Sequence, residues 1–363
     1  MRRSLFPFAA AGLLSMAAAR AATGQPAVDP TPLAPRNTYL LALPFLHFGG
    51  LTGSPPAPGE LRLRVEAIYS NTFSHTFRPD ALKLELGTRG LPFTHAEAQM
   101  AHDWYGDEVI YFVDSEVLRT ALTAELGLSR ELSVAVEVPY LTFSAVSADG
   151  AILAFHRAFG LGQNERQDFP RGGFEVVLQA PYGPLAFDDR RPAAGFGDIS
   201  ATLKWRHPVG GTALLLTDVS VKAPTGSSDD FRGSGSADVG AMVGLSRTFG
   251  PQGWFLQGGI VIPGRWKGPL GLDASPFGRL LAGTSRLLGR RTVVSLSATL
   301  EGSPVSGYHL QAVSQPAVEI VVGARRALGT WGSADLTINE HIPRFGDGTD
   351  IGIRLGLTLH ALP

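Results

Sequence analysis

Ionisable side chains of both signs recur at alternate positions of apolar-polar segments: Arg62, Arg64, Glu66, Glu137, Asp198, Lys204, Arg206, Asp238, Glu301, Glu319, Arg325, Asp335 and Arg354. Successive side chains of an extended strand leave on opposite faces, so these charges share one face while apolar residues take the other. Such a row around a wet lumen can line a pore and tune its selectivity. It can equally fill a narrow lumen as a salt-bridged network. Neither sign dominates, so strong ion selectivity is not expected.

Other residues invite different chemistry. Ile152, Phe155, His156 and Phe159 stand at i, i+3, i+4 and i+7 of GAILAFHRAFG. If helical, they form an apolar face that would fold into a barrel mouth as a constriction or pocket, or pack on neighbouring loops. His156 reads as a structural histidine before a pH gate or metal ligand. Asp188-Asp189 and Asp229-Asp230 read first as solvated loop acids, with Ca²⁺ ligands or a rim protease using His102-Asp103 as alternatives. A lipid-hydrolysing barrel would place His and Ser two residues apart on one strand face, and none of the 9 histidines is followed by Ser at that spacing. K-x-P-T-G at Lys222 to Gly226 reads as a turn, because no G-x-x-x-x-G-K-S/T follows a strand and opens a helix. No catalytic residue, metal site or cofactor is assigned.

The elements that position these residues follow from period two. Ile351, Ile353, Leu355, Leu357 and Leu359 oppose Asp350, Gly352, Arg354, Gly356, Thr358 and His360, and comparable segments recur along the chain. The spacing predicts strands over 61–73, 108–126, 131–144, 197–207, 212–223, 236–249, 253–263, 277–288, 291–302, 315–327, 331–341 and 350–361. Their connections alternate between short and long, as in barrels with short periplasmic turns and long outer loops. The expected fold is all-β, a transmembrane antiparallel up-and-down β-barrel of about 12 strands over residues 61–363. Outward Trp205, Phe249 and Trp254 would form one aromatic girdle, with Tyr69, Tyr111, Tyr140 and Phe143 in the other. Two features resist the pattern. Trp331 has inward parity, and Asp114 and Glu116 oppose Arg119 and Glu125, which calls for a bulge near Val117 or a strand rising above the membrane.

Residues 1–21 read as a signal peptide with an A-x-A site at Ala19 to Ala21. Residues 22–60 would be a periplasmic arm or a lumen plug, RNTYLLALPFLHFGG being apolar enough to fill a lumen; pairing as an extra strand would spoil closure. A charged fraction of 17% is below the roughly 25% of soluble domains. A large soluble β-sandwich would bury the alternating charges in an apolar core. The net charge of −1 offers no field for nucleic acid.

Arg36-Asn37, Ser70-Asn71, Asp114, Glu116 and Arg119 in D-x-E-x-x-R, Gly127, Val138-Pro139, Phe155 to Gly160 and G-x-G-D at Gly195 to Asp198 together resemble a bacterial outer-membrane family known as domain of unknown function 3187. K-x-P-T-G followed by GSGSAD is similar to barrels that transport hydrophobic compounds. The resemblance implies a barrel in the bacterial outer membrane, and no catalytic residues. Asp350, Gly352, Leu355 and Leu357 resemble the polar-x-Gly-x-x-hydrophobic-x-hydrophobic signal read by the barrel-assembly machinery, although the chain closes on His360 to Pro363 without a terminal aromatic.

The expectation is therefore a non-enzymatic passive channel or transporter for a small solute, an apolar one included. Its partners would be outer-membrane lipid, lipopolysaccharide, the barrel-assembly machinery and a small-molecule solute. A lipid or peptide hydrolase is one alternative. A structural or adhesive barrel is the other, with Arg78, Arg89, Arg157, Arg166, Arg171, Arg190 and Arg191 offered to phosphate.

Overall fold

A computed structural model describes residues 29–53, 55–75, 78–105, 110–143, 150, 154, 157, 166–179, 186–270, 272–306, 316–341, 349 and 351–360. The expected signal peptide and the residues Ile152, Phe155, His156 and Phe159 lie outside them.

Alternating side chains produce the strands β1 Leu61–His75, β2 Ile110–Gly127, β3 Leu132–Phe143, β4 Ser200–Gly210, β5 Ala213–Lys222 and β6 Asp238–Phe249. They continue as β7 Gln252–Ile262, β8 Phe277–Leu288, β9 Thr292–Glu301, β10 Ala317–Ala327, β11 Gly332–His341 and β12 Ile351–His360. Each pairs antiparallel with the next, and β1 pairs with β12 through Leu63↔Leu359, Val65↔Leu357 and Ala67↔Leu355, closing a 12-strand barrel. The sequence-predicted segments match these strands to within a few residues. Short turns at one end need left-handed backbone, which Gly250 (φ 57) and Gly289 (φ 64) supply.

The apolar parity faces out. Val65, Leu122, Leu203, Val243, Leu256, Leu296, Val322 and Leu355 are exposed, whereas their ionisable neighbours are covered. Trp205, Phe249 and Trp254 are exposed beside the short turns, and at the far end Tyr140 and Phe196 meet edge to face at 5.3 Å. Tyr111 and Phe143 do not join the second girdle: both point inward and are buried, because the outer strand ends enclose an apolar cluster inside the barrel. Trp331 lies in the turn before β11 and is exposed, so strand parity does not apply to it.

The irregular parity of β2 is resolved by height. Its register with β1 runs unbroken from Leu61↔Leu126 to His75↔Phe112, with no bulge at Val117. Above the span, the outward residues Phe73, Phe112, Asp114 and Glu116 are buried under a cap. The cap comprises α1 Pro79–Leu86, α2 His95–Tyr105 and a short strand, Glu175–Gln179, paired with the end of β2. Phe93 and Phe112 stack at 4.7 Å, and Phe169 packs on Phe112 at 5.1 Å and on Phe73 at 5.3 Å. Thr94 and Glu97 start α2 with reciprocal bonds, Thr94 N to Glu97 Oε2 at 2.8 Å and Glu97 N to Thr94 Oγ1 at 3.2 Å.

An outward face immersed in hydrocarbon makes charge there costly. Leu256, in the middle of β7 and 61% exposed, should on Leu256→Arg lose about 2–4 kcal/mol of folding stability. Urea titration of the protein in phospholipid vesicles measures this, and no loss would mean the face does not meet lipid.

Candidate functional site

Residues 29–53 run inside the barrel. They enter past Pro32 and Leu33, turn through Tyr39 to Phe45, and return to pair Gly50 N with Ala34 O at 2.9 Å. The turn is local in origin. Asn37 Oδ1 accepts Tyr39 N at 2.9 Å, and Leu43 N reaches Tyr39 O at 2.8 Å.

An irregular segment removed from water needs partners for its backbone, and inward side chains supply them. Near the short turns, Ser285 Oγ donates to Pro30 O (2.6 Å), Arg206 Nε to Thr52 O (2.5 Å) and Arg325 to Asp29 O (3.1 Å). At mid-height Arg354 and Arg279 each donate to a carbonyl, Leu33 O and Pro35 O, at 2.7 Å. Gln257 meets Leu51 with both amide atoms, at 2.8 and 3.2 Å. Glu301 accepts from Asn37 Nδ2 at 2.9 Å and lies 2.8 Å from His47 Nδ1. At the outer level Lys222 Nζ donates to Pro44 O (3.0 Å) and Leu46 N to Asp238 Oδ2 (2.8 Å).

The charges also pair with one another. Asp335 lies between Arg64 (2.8 Å) and Arg354 (3.0 Å), and Glu66 bridges the same two at 3.1 and 3.4 Å. Arg206 pairs with Asp218 and Arg279 with Glu301, both at 2.6 Å, and Lys204 with Glu125 at 3.2 Å. Glu137 meets Arg119 and, at 3.3 Å, Arg36. Lys222 meets Asp198 and, at 3.2 Å, Asp238. Glu319 faces Asn339 and the Arg279–Glu301 pair, and Arg62 stands near Glu125 and His360.

The lumen is thus divided along its axis. Its outer half is mostly apolar apart from the Lys222–Asp198–Asp238 cluster: Leu40, Leu41, Leu43, Phe45 and Leu46 pack among Phe143, Phe174, Phe231 and Trp266, with Phe45 and Trp266 rings 5.9 Å apart. Its inner half holds a cavity of about 550 Å³ between the segment and the wall, lined by Arg62, Arg64, Glu66, Glu137, Lys204, Arg325 and Arg354. Asp198, Arg206, Asp238, Glu301, Glu319 and Asp335 lie outside that lining. Arg36, Arg119, Glu125, Asp218, Lys222 and Arg279 complete the network beyond the lumen residues expected from sequence. Most have the parity that could have shown it; Lys222 belongs to a motif that reads as a turn, and Arg36 precedes any strand.

The family described as Protein of unknown function (DUF3187) matches residues 78–360. The chain belongs to this family. No curated protein matches the sequence. Among solved structures, this DUF3187 chain has the fold of the COG4313 outer membrane channel from Pseudomonas putida F1, at 12% identity and a TM-score of 0.51, over 84% of this chain and 97% of that one. More distant are the NanC porin (10% identity, TM-score 0.41, 68% and 94% covered) and the CymD monoaromatic hydrocarbon channel (9%, 0.38, 85% and 90%). The first likeness is one of fold, that of a bacterial outer-membrane barrel.

Outside the span, the cap of the DUF3187 chain holds a second ionic cluster. Lys83 Nζ donates to Glu97 Oε1 (2.9 Å) and to Leu91 O and Pro92 O (3.0 and 2.8 Å). Burial opposes ionisation of Glu97, but bonds from Thr88, Lys83 and Thr94 outweigh it and hold its carboxyl below the usual range. Glu175, beside Asp114 across the strand pair, is pushed up to about 7 by burial, which Arg166 and Lys83 only partly offset. Several loop arginines are engaged locally: Arg190 with Asp230 at 2.9 Å, Arg89 with Asp168 at 3.4 Å and Arg191 with Gly172 O at 2.6 Å.

Asp335→Ala should destabilise the barrel by about 3–5 kcal/mol, since it leaves Arg64 and Arg354 sharing only Glu66. Urea unfolding in detergent, followed by tryptophan fluorescence, checks this; a change within error would show the lumen to be as wet as bulk water. Glu175 binds its proton more tightly folded than unfolded, so its contribution is present below pH 4.5 and is lost as pH rises to about 7. Cap proteolysis should accordingly be faster at pH 8 than at pH 5.5, and Glu175→Gln should flatten that difference.

Proposed function

We propose that the protein is a passive outer-membrane conduit for a small solute, closed in the described state by residues 29–53. One observation carries the reading: the lumen is filled by a segment that is no part of the wall. Ladder pairing of β1 with β12 closes the barrel by itself. The segment is covalently continuous with that wall through the link before Leu61, and among the described residues no strand pairing includes it, so its withdrawal breaks none. Many of its attachments are single bonds from side chains to carbonyls, each of which water can replace once the lumen is wet.

The divided lumen supports a solute that tolerates both environments. An apolar tip occupies the outer half, where a solute of similar chemistry would take its place, and the chamber of about 550 Å³ leads toward the short-turn end. Charge in that chamber is internally paired, which argues against strong ion selectivity. That the like-folded protein from Pseudomonas putida F1 is an outer membrane channel supports the reading.

The hydrolase alternative gains nothing from the geometry. His102 and Asp103 sit on α2 in the cap, Asp188 bonds Arg190 N at 2.9 Å, and no hydrogen bond joins these two places among the described residues. Loop arginines engaged with loop acids and carbonyls give the phosphate-binding alternative little free charge.

Planar-bilayer recording tests the proposal. Deleting residues 22–53 should raise unit conductance well above that of the full chain, whereas silence from both proteins, each inserted and heat-modifiable on gels, would remove it.

A further inference from the structure

Three short motifs are not explained by the conduit reading alone: G-x-G-D at Gly195 to Asp198, K-x-P-T-G at Lys222 to Gly226 and GSGSAD at Gly233 to Asp238. The fold brings them to one point at the outer ends of β4, β5 and β6. Lys222 and Asp238 are direct cross-strand partners. The Lys222 side chain is 4% exposed and Asp238 fully covered.

Asp198 is set first. Its carboxylate accepts Gly226 N at 2.7 Å and Ser234 N at 3.2 Å, so the two loops wrap it with backbone donors. The motif glycines are needed for that approach: a Cβ on Gly233 would lie 2.3 Å from Asp198 Oδ1, and one on Gly226 would lie 2.4 Å from Arg232 O. Lys222 then joins Asp198 and donates to Ser234 Oγ at 2.8 Å, while Asp238 Oδ1 accepts Gly264 N at 2.9 Å. Lys222 also donates to Ser236 O at 3.3 Å, and both side chains reach the segment inside the barrel. Lys222 Nζ donates to Pro44 O at 3.0 Å, and Asp238 Oδ2 accepts Leu46 N at 2.8 Å.

We propose that Lys222, clamped between Asp198 and Asp238, is the positioning residue that latches the tip of the N-terminal segment into the outer half of the barrel. One cation offsets two covered carboxylates at this point, so loss of the ammonium leaves Asp198 and Asp238 facing each other with no charge between them. The tip loses its Pro44 bond directly and its Leu46 bond through the displaced Asp238. The motifs thus serve neither phosphate nor a free turn; they build a socket for two backbone groups two residues apart. The inference shares the segment with the conduit reading but does not depend on conduction.

The chain has 0 cysteines, so a single reporter is clean. Leu41→Cys sits in the tip at a residue 1% exposed, and Leu82→Cys, at a residue 0% exposed in the cap, is the control for general loosening. Reaction of the full chain in phospholipid vesicles with a water-soluble maleimide is timed for each. Adding Lys222→Met should speed modification at position 41 by about tenfold or more while leaving position 82 unchanged. An unchanged rate at 41, or equal acceleration at both sites, overturns the latch. Should Lys222→Met fail to fold, Asp238→Ala, which removes the acceptor of Leu46 N, takes its place: faster modification at 41 alone supports the latch, and any other pair of rates overturns it. A protein that conducts nothing still reports the position of its tip, so failure of the latch and failure of the conduit are told apart.

Discussion

Within hydrocarbon no backbone N–H or C=O can be left to water, and that constraint governs this chain. It forces the strands to close, which the β1–β12 ladder accomplishes. Closure then creates a second compartment that lipid cannot reach. Side chains of one parity must suit hydrocarbon and those of the other must suit whatever fills the interior. The inward charges exist because the first requirement has been met elsewhere on the same strands.

The same constraint reappears inside. A segment without regular structure carries its own unpaired backbone groups into the barrel, and Arg206, Arg279, Arg325, Arg354 and Lys222 all turn toward its carbonyls. Asp238 and Gln257 answer its N–H groups. Salt bridges between wall residues hold these donors in place and share their charge. The ionic network is therefore a substitute for the ladder that the segment lacks, dense toward the short-turn end and reduced around the apolar tip to the Lys222–Asp198–Asp238 cluster.

How much of this is legible in the sequence depends on whether a signal is periodic. Strands are legible because period two survives in every wall segment, and Arg64, Glu66, Asp335 and Arg354 can be placed on the inner face by parity alone. Tyr111 and Phe143 depart from their expected place in a girdle because aromatic residues at strand ends suit an interface or a core equally well, and only the packed tip decides between them. The cap helices are missing from the sequence reading although their marks are present: Thr94 and Glu97 form a T-x-x-E start, and Pro79 opens α1 just as Gly87, with φ 66, ends it. Short helices inside a long loop give no apolar stripe to draw attention to those marks. The convergence of Asp198, Lys222 and Asp238 has no local sign, because distant stretches supply it. Arg36 to Gly50 has no period, so the sequence leaves its place inside the wall as one option among several.

The segment bonds to β1, β3, β4, β5, β6, β7, β8, β9, β10 and β12, nearly the whole circumference. It is also translated before any of them. Its complete set of grips cannot exist until the last strand has arrived, since Arg354 is carried by β12 itself. A barrel halted one strand short would therefore hold its leading end by an incomplete set of grips, lacking the Arg354 bond to Leu33 O.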